Sequence, residues 1–294
     1  MKKLITSYEK SVSNNIQEIQ SILKTLGMTQ KELLPAYKQV LTMSSKNISG
    51  KWKSGRKYAR TLFVKRAFSK NYPEKITELS LTIDAMVNIL DDFYDEKMSQ
   101  DEKALYIIEY LRVFALYSNI NPDKKIQKAV GLYFNKLITL AVAENIYLVQ
   151  IKKEKALDKI IEYSAGLLLC RSMDIDIFNE VALVNYKDKK LANKTMLMGR
   201  IFRAINILKK DIVDIEYDKK NNLESVVTHV FDKKGKKFIQ YIDGLVTHLF
   251  EYAKKNHILV SKGTANIPLN NYFKLINKEV KEIKTIMSKK HNSQ

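Results

Sequence analysis

Two acidic stretches hold the residues of this chain best suited to chemistry. The first is Asp91-Asp92-Phe93-Tyr94-Asp95-Glu96; the second is Lys210-Asp211-Ile212-Val213-Asp214, with Asp218 beyond it. On a helix, Asp91 and Asp95 fall on one face a single turn apart. Asp92 is rotated by one position, where it meets a different ion or stands behind the ligands. Carboxylate oxygens are hard donors suited to Mg²⁺, and Mg²⁺ in turn holds phosphate oxygens. Two such patches facing one cavity in a helical bundle predict a site for several Mg²⁺ ions and a diphosphate. The plainer alternative is a pair of solvated acidic helix faces.

The segments that carry these acids share a layout. Leu79, Ile83, Met86, Leu90 and Phe93 recur at spacings of three and four, an apolar stripe. Beside it run Asp84, Val87 or Asn88, Asp91 and Asp95. In the second segment Ile201, Ile205, Leu208, Ile212 and Ile215 form the stripe, flanked by Arg200, Ala204, Ile207, Asp211, Asp214 and Asp218. Both acidic clusters therefore end a helix, where the dipole favours cations. That placement calls for a compensating positive charge.

Only 9 Gly and 4 Pro occur in 294 residues, well below the roughly 12% of average usage. No alternating β-branched run is bounded by turn dipeptides. The chain is expected to be all-α, a single large bundle of about ten helices around a central cavity. Periodicity and breakers predict helices at 8–25, 30–45, 57–70, 74–96, 102–118, 123–150, 154–181, 188–218, 222–231, 236–256 and 270–288. One domain is expected over 1–288, with a disordered tail at 289–294.

No apolar run is long enough for a membrane span, and the polar start does not read as a signal peptide, so a cytoplasmic protein is expected. Cys170 is the sole cysteine, which excludes an internal disulfide; its apolar setting reads as a buried, inert thiol. The formal charge of +19 suits a polyanionic substrate or a peripheral contact with an anionic membrane. Nucleic acid is disfavoured, because no arginine-aromatic stripe or nucleic-acid-binding motif accompanies the lysines. His229, His248, His257 and His291 do not fall at metal-ligand spacing.

At the acidic stretches the chain resembles the class I isoprenoid synthases, which include the trans-prenyl diphosphate synthases and the squalene/phytoene synthases. Asp91-Asp92-Phe93-Tyr94-Asp95 matches D-D-x-x-D, and Asn206-Ile207-Leu208-Lys209-Lys210-Asp211-Ile212-Val213-Asp214 is similar to that superfamily's second acidic helix. Tyr163-Ser164-Ala165-Gly166 is similar to the Tyr…Ala-Gly helix of the squalene/phytoene group. Ser54-Gly55-Arg56-Lys57-Tyr58-Ala59-Arg60 looks like a degraded G-G-K-R-x-R-P diphosphate-binding stretch. The resemblance covers about residues 50–220. Lys210 replaces the first acid of the second motif, Arg203 stands where the coupling enzymes have Gln, and no Arg-Arg-Gly follows the first motif.

The resemblance implies an Mg²⁺-dependent transferase that ionises an allylic diphosphate and forms a prenyl condensation product. Asp91, Asp92, Asp95, Asp211 and Asp214 become the metal ligands, with Asp91, Asp95 and Asp211 the catalytic carboxylates. Arg56, Lys57 and Arg60 would grip the substrate diphosphate. Position adds Arg171, Arg203 and Lys210. Arg171 interrupts an apolar helix, and its other reading is an ion pair with Asp174 or Glu144. Lys209 reads as solvated. Relatives of this kind are usually homodimers. Head-to-head coupling and terpene cyclisation remain alternatives, as does a non-catalytic basic helical protein that binds a prenyl lipid, a membrane surface or a partner.

Overall fold

The computed structural model describes residues 59–73, 76–95, 99–120, 122–184, 186–220, 225–234, 237–256 and 267–291. Within them every regular element is helical, so the fold is all-α. In chain order the helices are α1 (Ala59–Phe68), α2 (Thr77–Asp95), α3 (Gln100–Ile120), α4 (Lys124–Lys153), α5 (Leu157–Arg171) and α6 (Asp176–Leu183). They continue as α7 (Lys189–Val213), α8 (Ile215–Lys220), α9 (Val226–Lys234), α10 (Phe238–Lys255) and α11 (Ile267–His291). The helices expected at 8–25 and 30–45 lie outside the described residues.

Where the sequence reading draws one domain over 1–288, backbone packing groups the described residues into two compact units. One holds those within 59–62 and 73–123, the other those within 63–72 and 124–291. In the first unit α2 packs on α3. The start of α1 is bound to α2: the Thr61 hydroxyl donates to the Ser80 carbonyl at 3.1 Å, and the Thr61 backbone N–H donates to Asp84 Oδ2 at 2.8 Å.

In the second unit α7 is the axis, packed on α5, α6, α9, α10 and α11. Its composition explains this. Met198, Ile201, Phe202, Ala204, Ile205, Ile207, Leu208 and Ile212 are all buried, which surrounds most of the helix with apolar surface. Asp188 caps its start, accepting the Leu191 N–H at 2.9 Å. Phe63 meets Phe202 edge-on and Tyr272 lies tilted against it, with ring centroids at 5.2 and 5.8 Å.

Two expected helices are interrupted. The segment 154–181 breaks at a 3₁₀ turn, Ser172–Ile175, and 188–218 breaks at Asp214 between α7 and α8. The last helix runs to His291, past residue 288 where the sequence reading ends the domain.

Candidate functional site

The second acidic stretch ends α7. Asp211 is buried, and its Oδ2 accepts a hydrogen bond from Arg171 Nη1 at 3.0 Å. Arg171 is the last residue of α5, and its Nε also lies 3.4 Å from Glu144 Oε1 on α4. Of the two ion pairs weighed for Arg171, that with Glu144 is present; its second partner is Asp211, and Asp174 is engaged elsewhere. Burial pushes the Asp211 carboxyl above its ordinary range, against the pull of the Arg171 and Lys210 charges, while Asp214 adds to the rise. Asp218, on α8, is raised first by burial and then by the charges of Asp211 and Asp214. Asp214 is half-buried at the end of α7, and Lys210 is exposed. Three carboxylates therefore lie within each other's field where the helix dipole also opposes negative charge.

Two hydroxyls are buried in the same region of the unit without a hydrogen-bond partner: Ser164 Oγ on α5 and Tyr241 Oη on α10. Burial pushes the Tyr241 phenol strongly up, and the charge of Asp211 adds to that rise. The Ser164 hydroxyl is near enough to work against it, yet the pair does not reach hydrogen-bond geometry. Buried polar groups are normally satisfied, so two orphans beside an ion pair mark a place suited to a further polar group. Ser164 falls within the Tyr163–Gly166 stretch noted in the sequence. Tyr241 carries no such signal; its spacing within Phe238, Tyr241, Ile242 and Leu245 reads as ordinary core.

A row of polar groups spaced by three runs along α7: Arg200, Arg203, Asn206 and Lys209. Arg203 is bidentate on Asp174, with contacts of 2.7, 3.0 and 3.1 Å, and donates to Asn206 Oδ1 at 2.9 Å. Arg200 holds Asp176 through two bonds of 2.7 Å, and Lys136 reaches the same carboxylate at 2.8 Å. Lys209, expected as a solvated lysine, is half-buried and lies 2.6 Å from Glu279 and 2.8 Å from Glu282 on α11. These cations fix α7 to its neighbours. Planar bidentate pairing is the strongest form such contacts take.

The first acidic stretch ends α2, in the other unit. Asp91 is exposed; Asp92 and Asp95 are helical in backbone, with side chains outside the described residues. Arg56 and Lys57 also lie outside them. Arg60 is buried: its Nη1 donates to Asn88 Oδ1 at 2.9 Å and to Asp84 Oδ1 at 3.3 Å. Asp84 has no exposure, and burial raises its pKa from 3.8 to about 6 despite the Arg60 charge and the Thr61 hydrogen bond.

The carboxylates of Asp211, Asp214 and Asp218 are of the donor type that a hard cation takes. Among the described residues no three His, Cys, Asp or Glu side chains are grouped as a ligand set. Cys170, expected to be buried, is half-buried, and that burial pushes its thiol up. No described helix is long and apolar enough to cross a membrane.

No family model matches the chain, and no solved structure matches it. It is similar to a leucine-rich repeat and coiled-coil domain-containing protein of Plasmodium falciparum, 24% identical over 214 residues and 68% of this chain. The match covers 20% of that protein, so the chain spans about a fifth of the relative's length.

Proposed function

We propose that this protein is an Mg²⁺-dependent transferase acting on allylic isoprenoid diphosphates, which it ionises to form a prenyl condensation product. One observation supports the reading best. The carboxylate aligned with the second acidic motif, Asp211, is buried against Arg171, in a region that also holds the unpartnered hydroxyls of Ser164 and Tyr241. The sequence resemblance assigns Asp91, Asp92 and Asp95, and likewise Asp211 and Asp214, to metal ions. Bound Mg²⁺ supplies positive charge that stabilises a departing diphosphate. Arg171 orients Asp211, and Lys210 stands exposed one residue away to attract the anionic substrate. Arg56, Lys57 and Arg60 are assigned to the substrate from the sequence resemblance, with Arg203 as an addition by position.

A second reading, a basic helical protein without catalysis, is favoured by a specific observation. Arg171 and Arg203 already spend their guanidinium groups on carboxylates of the protein itself. Thermal unfolding with Mg²⁺ and an unreactive prenyl thiodiphosphate separates the two. A ligand at 100 times its Kd adds about 2.7 kcal/mol to stability. The transferase reading expects that gain in the parent and its loss in Asp91→Ala and Asp211→Ala; no gain in the parent sinks it. Products from labelled allylic diphosphate, with and without isopentenyl diphosphate, then distinguish elongation from coupling and cyclisation.

A further inference from the structure

The outward face of α4 has no role in the diphosphate reading. Leu132, Val142, Ile146 and Val149, four aliphatic side chains of this one helix, are 60, 58, 55 and 49% exposed. With the exposed Asn135 and Thr139 they follow a three-four alternation over eighteen positions, the spacing of a coiled-coil seam. Such a stripe is about 27 Å long. It lies opposite the buried Val130, Tyr133 and Ile151 that anchor α4 in its unit. A Cβ added at Gly131 meets nothing within 4 Å, so the face is open along its flank.

We propose that this face docks one amphipathic helix of a partner protein, a helix carrying acidic residues at both ends of its apolar stripe. Charge argues for that occupant. Lys124 and Lys128 are exposed at one end of the seam and Lys153 at the other, and no exposed residue of α4 is acidic. The helix's one acid, Glu144, is paired with Arg171. A second copy of α4 would set lysine against lysine in either orientation, a repulsion that disfavours self-pairing. A lipid surface fits less well, because interfacial helices present Trp, Phe and Leu, whereas this stripe has one leucine, Leu132, is otherwise β-branched in its apolar positions, and carries Asn135 and Thr139 at its middle. Asn135 is the position that fixes register, since a lone Asn in a seam selects a matching partner at some expense of stability.

The test uses the full chain and a synthetic four-heptad peptide with Ile and Leu at its seam positions, one Asn, and Glu at both ends. A second peptide carries Lys in place of those Glu residues. Titration calorimetry is expected to show saturable binding of the Glu-ended peptide, weakened by added salt, and at least about tenfold weaker binding of the Lys-ended one. The double variant Val142→Asp/Ile146→Asp, whose sites are exposed, should keep the parent's melting temperature and lose the peptide. A triple charge swap, Lys124→Glu, Lys128→Glu and Lys153→Glu, should reverse the preference between the two peptides. Equal binding of both peptides, no binding, or indifference to the double variant overturns the proposal. So does parent self-association, or binding to phosphatidylserine-phosphatidylcholine vesicles, that the double variant abolishes.

Discussion

Arg171 Nη1 lies 3.0 Å from Asp211 Oδ2, joining the end of α5 to the last turns of α7 across 40 residues of sequence. A group the sequence assigns to the substrate thus neutralises one it assigns to the metal. Removing the cation leaves a buried carboxylate poorly compensated. Arg171→Met is expected to lower stability at pH 7 by about 2 kcal/mol. The sign of the pH effect follows from Asp211's raised pKa. Between the unfolded and folded values the native state holds more protons, so stability falls as pH rises. In Arg171→Met that fall should deepen, and in Arg171→Met/Asp211→Asn it should shrink below the parent's. Urea titrations at pH 4.5 and 7 check both.

Asp84 gives a second pH dependence, in the other unit. Its pKa is held near 6 by full burial, against an ordinary 3.8. The native state therefore binds this proton more tightly than the unfolded chain. Stability is greatest below the ordinary value and is lost as pH rises to about 6, by about 3 kcal/mol for such a shift. Asp84→Asn should flatten that part of the profile. A slope between pH 4 and 6.5 as steep as the parent's after the substitution refutes it.

Glycine positions separate tight packing from slack. A Cβ at Gly199 would stand 2.6 Å from Asn179 Nδ2 and 3.3 Å from Tyr272 Cζ. Asn179 cannot retreat easily, because it is buried and its Oδ1 accepts the Tyr272 hydroxyl at 2.7 Å. Gly199→Ala should cost about 1–3 kcal/mol, as overpacking does. At Gly244 the nearest atom, also at 2.6 Å, is Ile161 Cδ1, the end of a flexible side chain. Gly244→Ala should cost less than about 1 kcal/mol once Ile161 changes rotamer. Thermal melts of the two variants side by side decide the ordering.

The helices were readable because a 3.6-residue period and scarce breakers constrain an all-α chain strongly; α3, α4 and α10 lie close to their expected bounds. The interruption at Ser172–Ile175 was not, since the apolar pattern of 154–181 continues through it and only Asp174 and Asp176 mark the change. Those acids serve Arg203 and Arg200 from a tertiary neighbour. Periodicity cannot assign such partners: nothing in sequence spacing sends Arg171 to Asp211 or Lys209 to Glu279. Asp84 looked like one more member of a polar stripe, whereas its burial comes from the start of α1 lying across α2. The candidate site was legible as a set of residue types, and its pairings required the fold.

The two orphan hydroxyls supply the last prediction. A buried hydroxyl without a partner costs about 1–3 kcal/mol of desolvation, so deleting one that serves nothing should leave stability unchanged or improve it. Tyr241→Phe and Ser164→Ala each remove only the polar atom. Both are expected to melt at or above the parent temperature without ligand. If the hydroxyls complete the polar surroundings of Asp211 for a substrate, the same variants should lose part of the stabilisation given by Mg²⁺ with the prenyl thiodiphosphate. The opposite signs matter, because a general packing defect would lower both melting temperatures together. Variants that gain stability yet respond to ligand as fully as the parent would remove Ser164 and Tyr241 from the site and leave Asp211 with Arg171 alone.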